Sequence, residues 1–140
     1  METECSVPDC AKDFHVLLVD DNDAFRSLIT QQLERLGACV DGAANAGGFL
    51  TRIAAARRPY DLAVVDLRLP DLRGDHIISW LGDSEVEQVA ALPILLVTGH
   101  PQSVPPSILH GSARVGVLCK PYGFADLARA VSRLLAQETV

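Results

Sequence analysis

The sequence predicts an α/β protein in which parallel strands alternate with helices, and three observations carry that prediction. Five short runs rich in Val, Leu, Ile and Ala alternate with other segments, and all but the proline-rich one after the fourth run carry apolar residues that recur every three or four positions. The runs lack the apolar–polar alternation of a half-solvated sheet, so helices must cover both faces. Four of the runs also stop at a residue able to bind a cation or a phosphate: Asp20 with Asp21, Asp66, Thr98 and Lys120. In a parallel sheet the carboxyl ends of the strands share an edge, which is where open α/β sheets bind ligands.

The first strand is Phe14–Val19. Asp23 is positioned to cap a helix with Phe25, Leu28, Ile29, Leu33 and Leu36 on its apolar stripe, and Gly37 to end it. Ala38–Ala43 reads as a weaker strand, and Asn45 as the cap of a helix with Phe49, Leu50 and Ile53 on one face that stops before Pro59. Leu62–Asp66 is the third strand. The loop 67–74 follows, with turns at Pro70 and Gly74, and Ile77, Ile78, Trp80 and Leu81 resume helical spacing with Trp80 in the core. Ile94–Thr98 is the fourth strand. Pro101, Pro105, Pro106 and Gly111 leave room for only a short helix, one that starts at the Pro105-Pro106 pair and spans 108–110. Val115–Cys119 is the fifth strand, and a last helix over 124–136 buries Leu127, Val131, Leu134 and Leu135. Right-handed crossovers then give a doubly wound parallel (βα)5 sheet of flavodoxin-like order 2-1-3-4-5, with the first and third strands flanking the switch point.

At 140 residues the chain fits one domain whose core needs no disulfide or metal staple. Residues 1–12 show no apolar period and read as a flexible tail ahead of a domain over 13–140. A formal charge of −6 with no block of Lys or Arg argues against direct binding to nucleic acid or to an anionic membrane. No apolar stretch reaches the roughly 20 residues of a membrane helix, and no basic leader precedes the domain, so a cytoplasmic location is expected. Cys5, Cys10, Cys39 and Cys119 lack metal-ligand spacing and read as free thiols, the last two in strand-like runs where burial is ordinary.

Asp20, Asp21 and Asp66 crowd like charges; at about 4 Å and an effective dielectric near 20 each pair costs on the order of 4 kcal/mol, so the cluster needs a cation. Oxygen-only ligation with open positions suits Mg²⁺ rather than zinc. With that charge neutralised, one carboxylate can attack a phosphoryl group. Asp66, solitary on the most central strand, is the better nucleophile, and the Asp20-Asp21 doublet the better metal pair. Thr98 can donate a hydrogen bond to a phosphoryl oxygen, and Lys120 supplies a point charge to it. Asp23, Asp71 and Asp75 read as helix caps or solvated loop groups, and the four scattered histidines as polar surface.

In Asp20-Asp21, Asp66, Pro70, Gly74, Thr98-Gly99 and Lys120-Pro121 the chain resembles a response-regulator receiver domain, the phosphoacceptor module of bacterial two-component signalling, over residues 14–136. The resemblance implies that Asp66 is phosphorylated by a sensor histidine kinase or histidine phosphotransfer protein. It implies Mg²⁺ held by Asp21, Asp66 and the carbonyl of Arg68, with Asp20 acting through metal-bound water. It further implies an inward-turned Thr98 and a cis Lys120-Pro121 peptide. On this reading the protein is a single-domain response regulator rather than an enzyme: it supports only its own phosphorylation and dephosphorylation. It switches a downstream protein target, with a homodimer as one form of output.

Three departures stand out. Val117 replaces the aromatic that receivers usually place three residues before the lysine, the fourth helix is proline-rich, and Arg68 and His100 stand at positions that in receivers border the path of hydrolytic water. Val117 and the prolines motivate an alternative, a pseudo-receiver acting as a constitutive interaction module. A phosphatase of the haloacid dehalogenase type ranks lower, because position 68 is Arg where that chemistry wants a second Asp.

Overall fold

The computed structural model describes residues 14–111 and 114–138. Strands β1 (Phe14–Val19), β2 (Ala38–Ala43), β3 (Leu62–Asp66), β4 (Ile94–Thr98) and β5 (Val115–Cys119) stand at the five apolar runs. They form one parallel sheet in the order β2-β1-β3-β4-β5. The helices are α1 (Asp23–Arg35), α2 (Ala46–Ala55), α3 (Gly74–Gly82), α4 (Glu87–Ala90), α5 (Pro106–Gly111) and α6 (Phe124–Glu138), with a 3₁₀ turn at Pro101–Ser103.

The period of two along each strand divides the core into two layers. Leu17, Val19, Ala63, Val65, Ile94 and Leu96 point to one face, where they meet Phe49 of α2 and Ile77, Ile78 and Leu81 of α3. Val16, Leu18, Leu62, Val64, Leu95 and Val97 point to the other, against Ile29 and Leu33 of α1 and Leu127, Val131 and Leu134 of α6. Burial on both faces is why the three middle strands are apolar from Val16, Leu62 and Ile94 up to their last residues; each fully buried Leu or Ile contributes about 2 kcal/mol of transfer free energy. β5 is an edge strand, and its residues are half-buried or exposed.

Several local expectations are corrected. The cap of α1 is Asn22 rather than Asp23: its Oδ1 accepts from the Phe25 N–H at 2.9 Å. Asp23 is the first helical residue, where its charge complements the helix dipole and pairs with Arg26 at 2.7 Å. Gly37 ends α1 with φ 98°, a left-handed conformation that glycine adopts without steric cost. Leu28 is exposed because the buried stripe of α1 is narrower than its apolar spacing suggests. The four-residue α4 was not anticipated; at that length it has no apolar period to read. Cys119 is exposed and Cys39 half-buried, because β5 and β2 are the sheet edges. Cys5, Cys10 and the tail over 1–12 lie outside the described residues.

Trp80 is not core. It is 53% exposed, beyond the buried Ile77 and Leu81 on α3, and lines an open hollow of about 460 Å³ with Ile53, Arg57, Tyr60 and Val86. Trp80→Ala is therefore expected to cost about 1 kcal/mol or less, against roughly 3–5 kcal/mol for a buried aromatic. Chemical denaturation of the two proteins checks this, and a loss above about 3 kcal/mol contradicts the placement.

Asp71 and Asp75 hold the loop after β3 in place. Asp71 accepts from the N–H groups of Ala46 and Gly47, both at 2.9 Å, so α2 is capped twice, by Asn45 from its own chain end and by Asp71 from across the fold. Those two N–H groups hold the Asp71 carboxyl below its ordinary value of 3.8. Such a group adds stability that is fully present above 3.8 and lost as the pH falls through the depressed folded value. Asp71→Asn should lower the melting temperature at pH 7, and the gap should close as the pH falls below 3.8; a gap independent of pH contradicts the ionic origin. Asp75 is buried rather than solvated, as expected of neither a cap nor a loop group. Arg73 binds it through Nε at 2.9 Å and, through Nη2, the Ser103 carbonyl at 3.0 Å.

Candidate functional site

Strand register assembles the site. Val19 pairs with Val65, which sets Asp20 level with Asp66; Asp66 pairs with Val97, next to Thr98; Thr98 pairs with Cys119, next to Lys120. One hollow of about 460 Å³ is lined by Asp20, Asp21, Asn22, Phe25, Asp66, Arg68, Thr98, Gly99, His100 and Lys120. Every residue singled out from the sequence for this site is there. The fold supplies the reason: β1 and β3 are neighbours whose connections leave in opposite directions, so the crevice opens between their carboxyl ends.

Asp20 is 1% exposed and its side chain is aimed by the backbone. The Asn22 N–H donates to Oδ1 at 2.8 Å, and Arg26 Nη1 donates to the Asp20 carbonyl at 2.7 Å. Among the described residues Oδ2 has no hydrogen-bond partner. Asp66 is 9% exposed, and the Arg68 N–H reaches its Oδ1 at 3.3 Å. Lys120 Nζ stands 3.8 Å from Asp20 Oδ2 and 3.8 Å from Asp66 Oδ2, close enough for charge attraction and too far for a hydrogen bond. Burial raises the Asp66 carboxyl above its ordinary value, with the charges of Asp20 and Asp21 acting in the same direction, against the pull of Lys120 and of the Arg68 N–H.

Thr98 is 1% exposed. Its Oγ1 accepts from the His100 N–H at 2.8 Å, which leaves its proton for a further acceptor. Its carbonyl accepts from the Lys120 N–H at 2.8 Å, tying the two strand ends together. The Lys120-Pro121 peptide is cis.

Carboxylate oxygens of Asp20, Asp21 and Asp66 lie within 4.8 Å of one another. A buried carboxylate oxygen with no donor, in an all-oxygen cluster open to solvent on the Asp21 side, fits a hard divalent cation that keeps some of its water. The sequence reading did not place Phe25 in the site. Its spacing marked it only as part of a helical stripe, whereas its ring centroid is 4.0 Å from Lys120 Nζ. Val117 packs half-buried against the α2 and α3 face of the sheet.

Residues 16–132 match the family of response regulator receiver domains. The chain is 29% identical over 127 residues to the probable methanogenesis regulatory protein FilR2 of Methanothrix harundinacea, an alignment covering 86% of this chain and 81% of that protein. It is 32% identical over 117 residues to the sensor protein GacS of Pseudomonas syringae pv. syringae; there the match covers 83% of this chain and 13% of GacS. The same module thus spans most of one relative and a small part of another.

Among solved structures, the chemotaxis response regulator CheY4 of Vibrio cholerae aligns with a TM-score of 0.72 and 25% identity over 87% of this chain and 98% of that one. A response regulator receiver domain protein from Clostridium thermocellum shares the fold, with a TM-score of 0.78 at 20% identity over 91% and 98% of the two chains. Sequence and architecture agree over the same stretch, and the chain belongs to the response regulator receiver domains of two-component signalling.

Proposed function

We propose that Asp66 accepts a phosphoryl group from a sensor histidine kinase or a histidine phosphotransfer protein, and that the altered charge of the pocket switches the binding of a downstream protein. The observation that carries this reading is the buried Asp66 carboxylate, on the central strand, facing the Lys120 ammonium at 3.8 Å. In the transfer an Asp66 oxygen bonds to phosphorus as the bond from phosphorus to the donor's imidazole nitrogen breaks. The bonding pair leaves with that nitrogen, which takes up a proton. Lys120 compensates the negative charge gathering on the phosphoryl oxygens, and the free Thr98 proton donates to one of them.

Asp20, Asp21, Asp66 and the Arg68 carbonyl would hold Mg²⁺. When bound, it neutralises the clustered carboxylates and polarises the phosphoryl oxygens. The protein on this reading is a single-domain relay of the cytoplasm, working through protein partners, itself among them as a homodimer, rather than through DNA or a membrane. The charge of −6 supports the last point, and among the described residues no helix is long and apolar enough to cross a membrane.

Treatment with a small acyl phosphate and Mg²⁺ should add about 80 Da to the protein. An unchanged mass at saturating donor sinks the relay and supports the constitutive interaction module that Val117 suggests.

A further inference from the structure

We propose that Phe25 is a positioning residue for Lys120: the face of its ring holds the ammonium between Asp20 and Asp66 and keeps it from closing onto either. Nζ lies 4.0 Å from the ring centroid and 3.8 Å from an oxygen of each carboxylate. An ammonium hydrogen-bonded to a carboxylate sits at about 2.8 Å, so Lys120 makes neither available bond. Attraction between a cation and an aromatic face, acting from a third side, is the counterweight that the site contains.

Both partners are pinned. The Phe25 N–H is held by the Asn22 side chain at 2.9 Å, and the ring meets Tyr122 edge to face at a centroid separation of 6.2 Å. Tyr122 is anchored in turn, its hydroxyl donating to Gln32 Oε1 at 3.1 Å. The Lys120 backbone is fixed by its N–H bond to the Thr98 carbonyl. The consequence falls on the carboxylates. Asp20 Oδ2 keeps its lone pairs free for a cation, and the Lys120 ammonium does not cap the Asp66 Oδ2 that faces it.

Without the ring, the ammonium is expected to close onto one aspartate, as removing one of three attractions leaves the other two to compete for it. This inference rests on the relay reading for its kinetic arm and on geometry alone for its spectroscopic arm. Phe25→Leu keeps an apolar side chain but no aromatic face, and should lower the rate of acyl phosphate labelling about tenfold, the equivalent of about 1.4 kcal/mol. Phe25→Tyr keeps the face and should stay within about threefold of the parent, since a phenol ring binds cations as a phenyl ring does.

In proton NMR the Lys120 ε-methylene of the parent should resonate upfield of its random-coil position, shielded by the ring, and should return there in Phe25→Leu. Labelling of Phe25→Leu at the parent rate overturns the proposal. So does an unshifted ε-methylene in the parent protein, a measurement that needs no variant to fold. A parent protein with the shift but no label would defeat the relay reading and leave the placement by Phe25 standing.

Discussion

Asp66→Asn is expected to gain no mass from an acyl phosphate donor, while the parent protein gains about 80 Da. A second effect should appear without any donor. Burial and the neighbouring aspartates raise the Asp66 carboxyl in the folded state, so ionising it works against folding. The sign follows from linkage: between the unfolded value near 3.8 and the raised folded value the native state binds more protons, so stability falls as pH rises, and the full penalty is present above that raised value.

Lys120 at 3.8 Å offsets part of that penalty. The amide should therefore stabilise the magnesium-free protein at pH 7 by about 1 kcal/mol, seen as a melting temperature about 4 °C higher, and the gain should shrink on acidification. Magnesium at a hundred times its dissociation constant should stabilise the parent by about 2.7 kcal/mol and the amide variant much less. An adduct of equal size on Asp66→Asn would place the acceptor elsewhere. Destabilisation at pH 7 would contradict the crowding of the carboxylates.

Gly74→Ala is expected to be the most destabilising single methyl in the loop after β3. A Cβ at Gly74 would stand 2.5 Å from the Asp66 carbonyl oxygen and 2.9 Å from Val65 Cγ1, and the first of these is backbone that no rotamer change can move. The Gly74 N–H bonds the Leu67 carbonyl at 2.8 Å, so the start of α3 is folded tightly against the end of β3. Overpacking of this kind costs about 3 kcal/mol, and relieving it shifts the strand end that carries Asp66, so labelling should slow as well. Gly99 gives the contrast within the same hollow: an added Cβ there meets nothing within 4 Å, and Gly99→Ala should leave stability nearly unchanged. Urea unfolding of the three proteins decides it. A loss below about 0.5 kcal/mol in Gly74→Ala contradicts the close approach.

Much of the fold is legible in the sequence. The bounds of β1, β3 and β4 follow from apolar runs that end in Asp20, Asp66 and a terminal Thr98, because a strand buried on both faces has no tolerance for a polar residue until it reaches the sheet edge. The gathering of Asp20, Asp21, Arg68, Thr98 and Lys120 follows from the parallel order, which sends all strand ends to one side. Other features had no local signal. Asn22 and Asp23 are near-equal caps by residue type, and only the backbone decided that the Phe25 N–H belongs to Asn22. Trp80 has the spacing of a core residue, yet the adjacent hollow leaves it half in solvent. Asp71 caps a helix 24 to 25 residues away, a pairing that no window along the chain contains.

By itself the sequence determined the strand set, the parallel order and the chemical identity of the groups at its carboxyl edge, since hydrophobic period and residue type act over a few neighbours. The tertiary structure alone decided what those groups touch: the ring of Phe25 over Lys120, the unpartnered oxygen of Asp20, the press of Gly74 on Asp66. Such contacts join residues distant in the chain at ångström precision, and they depend on how helices settle on the sheet rather than on any pattern along it.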